Sequence, residues 1–228
     1  MKGERPGSVQ TSTLMICDFD GTVSQTDIGY EILRKFSGDK WEDIDRAYRR
    51  GVIGSMDAYK RIASFIHMPE EEVISYLEDV NSIDPHFAGI RRLCKERSID
   101  LKIVSDGLDY YIRNILDRHG FSDIEFFSNR LVFLENSRIR IDFPGYNEKC
   151  GKCGNCKKRI LEKHRQDYCR IIYVGDGYSD ICPSVLADLV FGKDILYTSC
   201  REKGTHCIYY RNLGEVKEIL ERRGCLAV

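Results

Sequence analysis

The sequence predicts an α/β protein with a Rossmann-like parallel sheet core and an inserted all-helical cap. Four apolar runs of strand length, Leu14–Cys17, Leu101–Val104, Ile171–Val174 and Leu189–Phe191, are rich in branched or aromatic residues and apolar almost throughout. Strands of a parallel sheet covered on both faces read this way. Segments with helical periodicity, such as 108–119 and 179–187, separate the later runs, and that alternation builds such a sheet. Between the first two runs lie about 55 residues with helical patterns and no strand, several times what one crossover helix needs.

Taken in order, the first run ends at Asp18, and Gln25 to Asn81 then read as four short amphipathic helices. Ile28, Ile32, Leu33 and Phe36 suit one helix, and Trp41, Ile44 and Tyr48 a second. Met56, Tyr59, Ile62, Ala63 and Ile66 suit a third. Val73, Ile74 and Leu77 form a fourth, opened by Pro69 and three glutamates, whose charge favours a helix N-terminus. Residues 25–81 are therefore assigned to the cap, and 1–24 with 82–228 to the core. From Ile124 to Phe143 three short runs, 124–127, 131–134 and 138–141, are separated by Ser128-Asn129-Arg130 and Glu135-Asn136-Ser137, both read as turns. The second and third runs predict an antiparallel hairpin. A Cys-rich loop follows to about residue 156, then a helix over 157–165. The last helix, 212–223, is expected to stop at Gly224.

With 35 basic against 36 acidic residues the formal charge is −1, so the overall balance offers no footprint for nucleic acid or an anionic membrane surface. No apolar run approaches the roughly 18 residues of a membrane span, so no membrane partner is expected. Residues 1–13 carry charges and a proline without an apolar stretch, and read as a short frayed leader and not a secretory signal. A cytoplasmic, reducing setting is therefore expected, with no structural disulfides. Seven of the ten cysteines are scattered singly and should pack as small hydrophobes; Cys150, Cys153 and Cys156 are evenly spaced in one loop.

Ligands of an open parallel sheet bind beyond the carboxyl ends of its strands, where Asp18, Ser105 and Gly175-Asp176 follow the first three runs. Asp18-Phe19-Asp20-Gly21-Thr22 places two acids and a turn glycine on one loop. Gly175-Asp176-Gly177-Tyr178-Ser179-Asp180 is a second acidic turn opening a helix. Carboxylates gathered at one sheet edge repel unless a hard cation sits among them, and Mg²⁺ is the natural occupant.

With these motifs in this order the chain resembles the haloacid dehalogenase superfamily, and within it the phosphoserine-phosphatase-like branch with a helical cap. Residues 18–22 look like its first motif, Ile103-Val104-Ser105-Asp106-Gly107 its second, Lys157 its third and 175–180 its fourth. The resemblance implies that Asp18 is the nucleophile and Asp20 the general acid and base. It further implies that Ser105, Asp106, Gly107 and Lys157 hold the phosphoryl group. Mg²⁺ would be held by Asp18, the backbone carbonyl of Asp20 and Asp176, with Asp180 supporting the set. Such a site is physically coherent, because a phosphate dianion repels a carboxylate nucleophile until cations offset the charge. Lys149, Lys152 and Lys158 compete with Lys157, which is preferred because it opens a helix and lies 19 positions before Asp176. Asp27 occupies the place of a glutamate that recognises the substrate amine in phosphoserine phosphatases; its alternative role is a helix N-cap before Ile28.

The loop Cys150-Gly-Lys-Cys153-Gly-Asn-Cys156 has spacing compatible with structural Zn²⁺. It offers three ligands, with His164 or Cys169 as a fourth, and the expected helix at His164 and strand at Cys169 favour a metal-free loop. A similar loop marks the methionine-salvage phosphatase acting on 2-hydroxy-3-keto-5-methylthiopentenyl 1-phosphate and related phosphocholine and phosphoethanolamine phosphatases. That subgroup resemblance makes the methionine-salvage ester the leading substrate, with phosphoserine second through Asp27. The competing class is a zinc-knuckle-like nucleic-acid-binding module around Cys150 to Lys158. The Asp18, Asp20 and Asp176 set argues against it, since a binding module needs no nucleophile. The expected partner is thus a small phosphorylated metabolite.

Overall fold

The computed structural model describes residues 12–80 and 83–222. Seven strands form one sheet: β1 (Thr13–Cys17), β2 (Ile99–Leu108), β3 (Glu125–Phe133), β4 (Ile139–Asp142), β5 (Arg170–Gly175), β6 (Leu189–Gly192) and β7 (Ile208–Tyr209). Their order is β4-β3-β2-β1-β5-β6-β7. Every pairing is parallel except β3 with β4. All five residues of the central β1 are buried, which is why its sequence is a continuous apolar run. Alternate side chains serve opposite faces. Met15, Cys17, Ile103, Ile172 and Val174 join one core cluster, while Leu14, Ile16, Val104, Ile171 and Tyr173 join the other.

Four cap helices stand between β1 and β2: α1 (Ile28–Ser37), α2 (Glu42–Arg49), α3 (Ser55–Ala63) and α4 (Glu70–Asp79). A 3₁₀ turn over Gly38–Trp41 joins the first two. The core helices are α5 (Phe87–Glu96), α6 (Asp109–Arg118), α7 (Lys157–His164), α8 (Ile181–Ser184), α9 (Asp194–Glu202) and α10 (Leu213–Arg222). An inserted helical cap region on a Rossmann-like sheet is thus what the chain forms. Ile74 departs from the expected apolar face: it is 39% exposed, while Val73 and Leu77 are buried.

Two local readings are corrected. Ser128-Asn129-Arg130 is not a turn, because β3 runs unbroken from Glu125 to Phe133. Its first half pairs with β2 in parallel and its second half with β4 in antiparallel, Phe133 opposite Ile139. Asn129 there donates to the Asp106 carbonyl of β2 instead of turning the chain. Ser105 does not follow β2 either; Ser105, Asp106 and Gly107 lie within it, where the register with β3 shifts between Val104 and Leu108. The hairpin itself is present. Helix α5, helix α9 and β7 had no counterpart in the sequence reading. The leader over 1–13 falls almost wholly outside the described residues, as do Gly224 and the cap boundary at 81–82. Among the described residues no helix is long and apolar enough to cross a membrane.

Candidate active site

The motif residues converge at the carboxyl edge of β1, β2 and β5. Asp18 leaves β1 with its backbone N–H still bonded to the Val174 carbonyl at 2.9 Å, and its Oδ1 accepts from the Phe19 N–H at 2.7 Å. Gly21 turns this loop at φ +72°, and a Cβ there would lie 2.5 Å from the Asp176 carboxylate, so only glycine fits. Thr22 Oγ1 donates to Asp176 Oδ1 at 2.6 Å, tying the first motif to the fourth.

Lys157, at the start of α7, is 2% exposed. Its Nζ lies 2.7 Å from Asp18 Oδ2 and 2.7 Å from Asp180 Oδ1. Lys149, Lys152 and Lys158 are exposed at the surface. Asp180 is fully engaged, accepting from Lys157, from the Tyr173 hydroxyl at 2.6 Å, and from the N–H groups of Asp176 and Gly177 at 3.0 and 2.9 Å. It therefore aligns the lysine and the fourth-motif loop together. Burial alone would raise the Asp180 carboxyl, but Lys157 and these donors outweigh it and hold it below the usual range. Burial likewise opposes the lysine's charge, and Asp18 with Asp180 outweighs that and holds the ammonium above its ordinary value.

In the remaining acids burial outweighs the compensation. Asp18 is raised by burial and by Asp180, against the pull of Lys157. Asp176 is pushed up to about 7 by burial, then by Asp180. Carboxylate oxygens of Asp18, Asp176 and Asp180 all lie within 4.8 Å of one another. Three carboxylates against one ammonium leave excess negative charge, and hard oxygen donors in that state fit a divalent cation such as Mg²⁺.

Asp20 points away from this cluster. Its Oδ1 accepts from the N–H groups of Ile28 and Gly29 at 3.0 and 3.3 Å, and its Oδ2 from the Tyr111 hydroxyl. Burial and then Asp27 push it up to about 8, although those donors pull the other way. Asp27 does cap α1, accepting from the Tyr30 N–H at 2.8 Å, and it also lines the cavity, so both of its readings have a geometric basis.

Ser105 is buried, its Oγ accepting from the Gly107 N–H at 2.9 Å. Asp106 is turned toward structure: its Oδ1 accepts from the Asn155 N–H at 2.8 Å and from Asn129 at 3.0 Å, and its carbonyl accepts from Tyr59 at 3.0 Å. Asn155 donates to the Ser105 carbonyl at 2.7 Å and to the Phe127 carbonyl at 3.0 Å. No site role was expected for Asn155 or Tyr111, while Asn129 was expected in a turn, Tyr59 on a helix face and Tyr173 in an apolar strand. Only Asn155 had a local signal, as the residue two before the motif lysine; the others arrive from distant elements. The site opens into a cavity of about 260 Å³ between core and cap, lined by Asp18, Asp20, Ser105 and Asp176 on one side and by Leu33, Trp41, Ile44 and Ile62 on the other.

A family model described as Putative Phosphatase matches residues 13–194, from β1 to the start of α9. The chain belongs to this family. Relatives of this phosphatase include the 2-hydroxy-3-keto-5-methylthiopentenyl-1-phosphate phosphatase of Bacillus velezensis, 27% identical over 215 residues that cover 92% of this chain and 91% of that one. The protein of the same name from Lysinibacillus sphaericus is 29% identical over 196 residues, covering 83% and 85%. A solved structure described as a phospho-aspartyl intermediate analogue of phosphoserine phosphatase superposes with a TM-score of 0.71 over 92% of this chain and 99% of that one, at 23% identity. The latter likeness is one of fold. Family and fold together describe a phosphoric monoester hydrolase with a haloacid-dehalogenase-like fold.

Among the described residues of this phosphatase, the aspartate trio is the one group of three metal-ligating side chains that converges. Cys150, Cys153 and Cys156 do not form another, and they range from exposed to buried. His164 is taken up by α7, and Cys169 precedes β5 with its thiol on the Ser12 carbonyl.

Proposed function

We propose that the protein hydrolyses its ester through an aspartyl-phosphate on Asp18, in the presence of Mg²⁺ held by Asp18, Asp176 and the Asp20 carbonyl. The observation that carries this reading is the division of labour between two acids at one cavity. Asp18 is paired with a buried lysine, while Asp20, two residues on, stays protonatable near neutral pH. The bound metal supplies positive charge that offsets the phosphate dianion. Lys157 keeps Asp18 aligned and adds its own positive charge at the phosphoryl oxygens, and the Ser105 hydroxyl with nearby N–H groups holds the equatorial oxygens. Asp18 attacks phosphorus as the ester P–O bond breaks, and Asp20 gives its proton to the departing alkoxide. Water then attacks the acyl phosphate, Asp20 takes back a proton, and Asp18 is released with inorganic phosphate.

Two outcomes follow for the acid and for the metal. Asp20→Asn should slow hydrolysis of alkyl phosphates by about 10²–10⁴-fold and of p-nitrophenyl phosphate far less, since a good leaving group needs little protonation. Equal slowing on both substrates would remove Asp20 from that role. Chelation should abolish turnover, Mg²⁺ should restore it, and Ca²⁺ should not, because it takes more ligands at longer distances. In a thermal melt Mg²⁺ should raise Tm for the wild type, and Asp176→Asn should erase most of that rise.

Within this activity, 2-hydroxy-3-keto-5-methylthiopentenyl 1-phosphate is the favoured substrate. The bacterial relatives support it, and so does the wall of Leu33, Trp41, Ile44 and Ile62, against which a methylthio chain packs well. Phosphoserine fits less well. Arg49, the one basic side chain lining the cavity among the described residues, is already paired through its Nε with Asp45 at 2.7 Å, which weakens its pull on a serine carboxylate. A second reading, phosphocholine or phosphoethanolamine, is favoured by Asp27 and Asp45 beside Tyr30, Trp41 and Tyr48, a setting that attracts organic cations. Phosphate release from these four esters with Mg²⁺ separates the readings by kcat/KM. A lead for the methylthio ester of about tenfold, or 1.4 kcal/mol, is expected; a lead for the cationic esters selects the second reading. Failure with all four and with p-nitrophenyl phosphate would overturn the phosphatase itself. A cytoplasmic setting is the reading such a metabolite supports.

A further inference from the structure

The loop ahead of Lys157 is wedged between the cap and the second-motif strand. The Lys152 carbonyl accepts from the Met56 N–H at 3.2 Å, and the Gly154 N–H donates to Ser55 Oγ at 2.9 Å. Gly54 packs so closely on Lys152 that any Cβ would overlap the Lys152 backbone. One residue further on, Asn155 is bonded to Ser105 and Asp106. This segment has no slack, and it carries three thiols.

Cys150 is exposed, Cys153 half-buried and Cys156 buried. Gly151, at φ +68°, turns the chain between Cys150 and Lys152, bringing the amides of Lys152 and Cys153 and the Cys153 thiol round toward the Cys150 sulfur. Partial burial raises the Cys150 thiol, but these polar neighbours outweigh it and leave it below its usual value. Cys153 is raised instead, by burial first and then by the charge of Asp106. An accessible sulfur of thiolate character beside a protonated thiol is the arrangement that oxidises selectively.

We propose that Cys150 and Cys153 are a reversible redox pair whose disulfide turns the phosphatase down. The Cys150 thiolate attacks a hydroperoxide, forming an S–O bond as the O–O bond breaks; one oxygen leaves as alcohol or water, and Cys150 becomes a sulfenic acid. The Cys153 sulfur then attacks that sulfur, the S–S bond forms and the hydroxyl departs as water. In sum two thiols lose two electrons and two protons, and one hydroperoxide is reduced; a dithiol reverses the change. Closing the two sulfurs to a bond of about 2 Å displaces the backbone between them. Lys152 then loses Met56, Gly154 loses Ser55, and the start of α3 no longer seats on the core beside Ser105. In a reducing compartment such a bond is transient, as a sensor requires.

The test uses the full chain, hydrogen peroxide, and p-nitrophenyl phosphate with Mg²⁺. After peroxide, a non-reducing peptide map should show a Cys150–Cys153 cross-link, and kcat/KM should fall several-fold and return with dithiothreitol. Cys150→Ser and Cys153→Ser should keep the untreated rate and lose the response. A cross-link to Cys156 instead, no cross-link, or undiminished peroxide sensitivity in both variants would overturn the proposal. So would unchanged turnover in the cross-linked protein, or one zinc per chain bound by these sulfurs as purified. The kinetic arm rests on the phosphatase reading, whose own failure would appear as no turnover in the untreated enzyme; the cross-link is read by mass in either case.

Discussion

Asp18→Asn should lower kcat by about 10⁴-fold or more while leaving the protein folded, because it removes the proposed nucleophile and preserves its shape. The effect on stability is expected to run against intuition. Asp18 is one of three carboxylates facing one ammonium, and Asp180 remains to pair Lys157 when Asp18 is neutralised. The variant should therefore melt no lower than wild type in metal-free buffer and gain less from added Mg²⁺. Single-turnover phosphate release measures the first effect, and circular-dichroism melts with and without Mg²⁺ the second. Residual turnover above about 1% of wild type would place the nucleophile elsewhere.

Lys157→Met should do the opposite to stability. The lysine is held between Asp18 and Asp180, both buried, and its removal strands charge in the interior. Breaking a buried pair by deleting one partner costs about 3–5 kcal/mol, which urea unfolding would resolve. Turnover should fall by about 10³-fold if, as proposed, Lys157 is the fixed cation at the phosphoryl oxygens, and Asp18 loses its alignment as well. Adding Asp180→Asn tests the cause: the double variant should recover part of the stability lost by Lys157→Met, because one stranded carboxylate is gone. An unfolding free energy unaffected by Lys157→Met would mean that the pair is not formed in solution.

Much of this architecture was legible because its signals are local. The runs at Leu14–Cys17 and Ile171–Val174 are apolar on both faces since both faces of the sheet are covered, and the cap helices announce themselves by spacing and by Asp27 and the glutamates at their starts. What stayed hidden is non-local. Ser128-Asn129-Arg130 looks like a turn in any short window; it is strand because β2 and β4 hold it from two sides, with Asn129 donating to Asp106. Tyr111 and Tyr173 have no motif, and meet Asp20 and Asp180 only after the chain has closed over them. Asp18 and Asp176 could be picked out because they directly follow β1 and β5, where geometry restricts what polar residues can do.

The cap is stitched to the core at places far from its two chain connections. Tyr59 bonds to the Asp106 carbonyl, Met56 to Lys152, Met68 to the Ser137 carbonyl of the hairpin, and Arg118 to the last turn of α4. Swinging the helices away as a rigid flap would break all of these bonds at once. Substrate entry should then be a matter of small side-chain and loop excursions at the cavity mouth. Amide protons of α3 and α4 should exchange with solvent nearly as slowly as those of the central strands, because releasing them takes an opening close to complete unfolding.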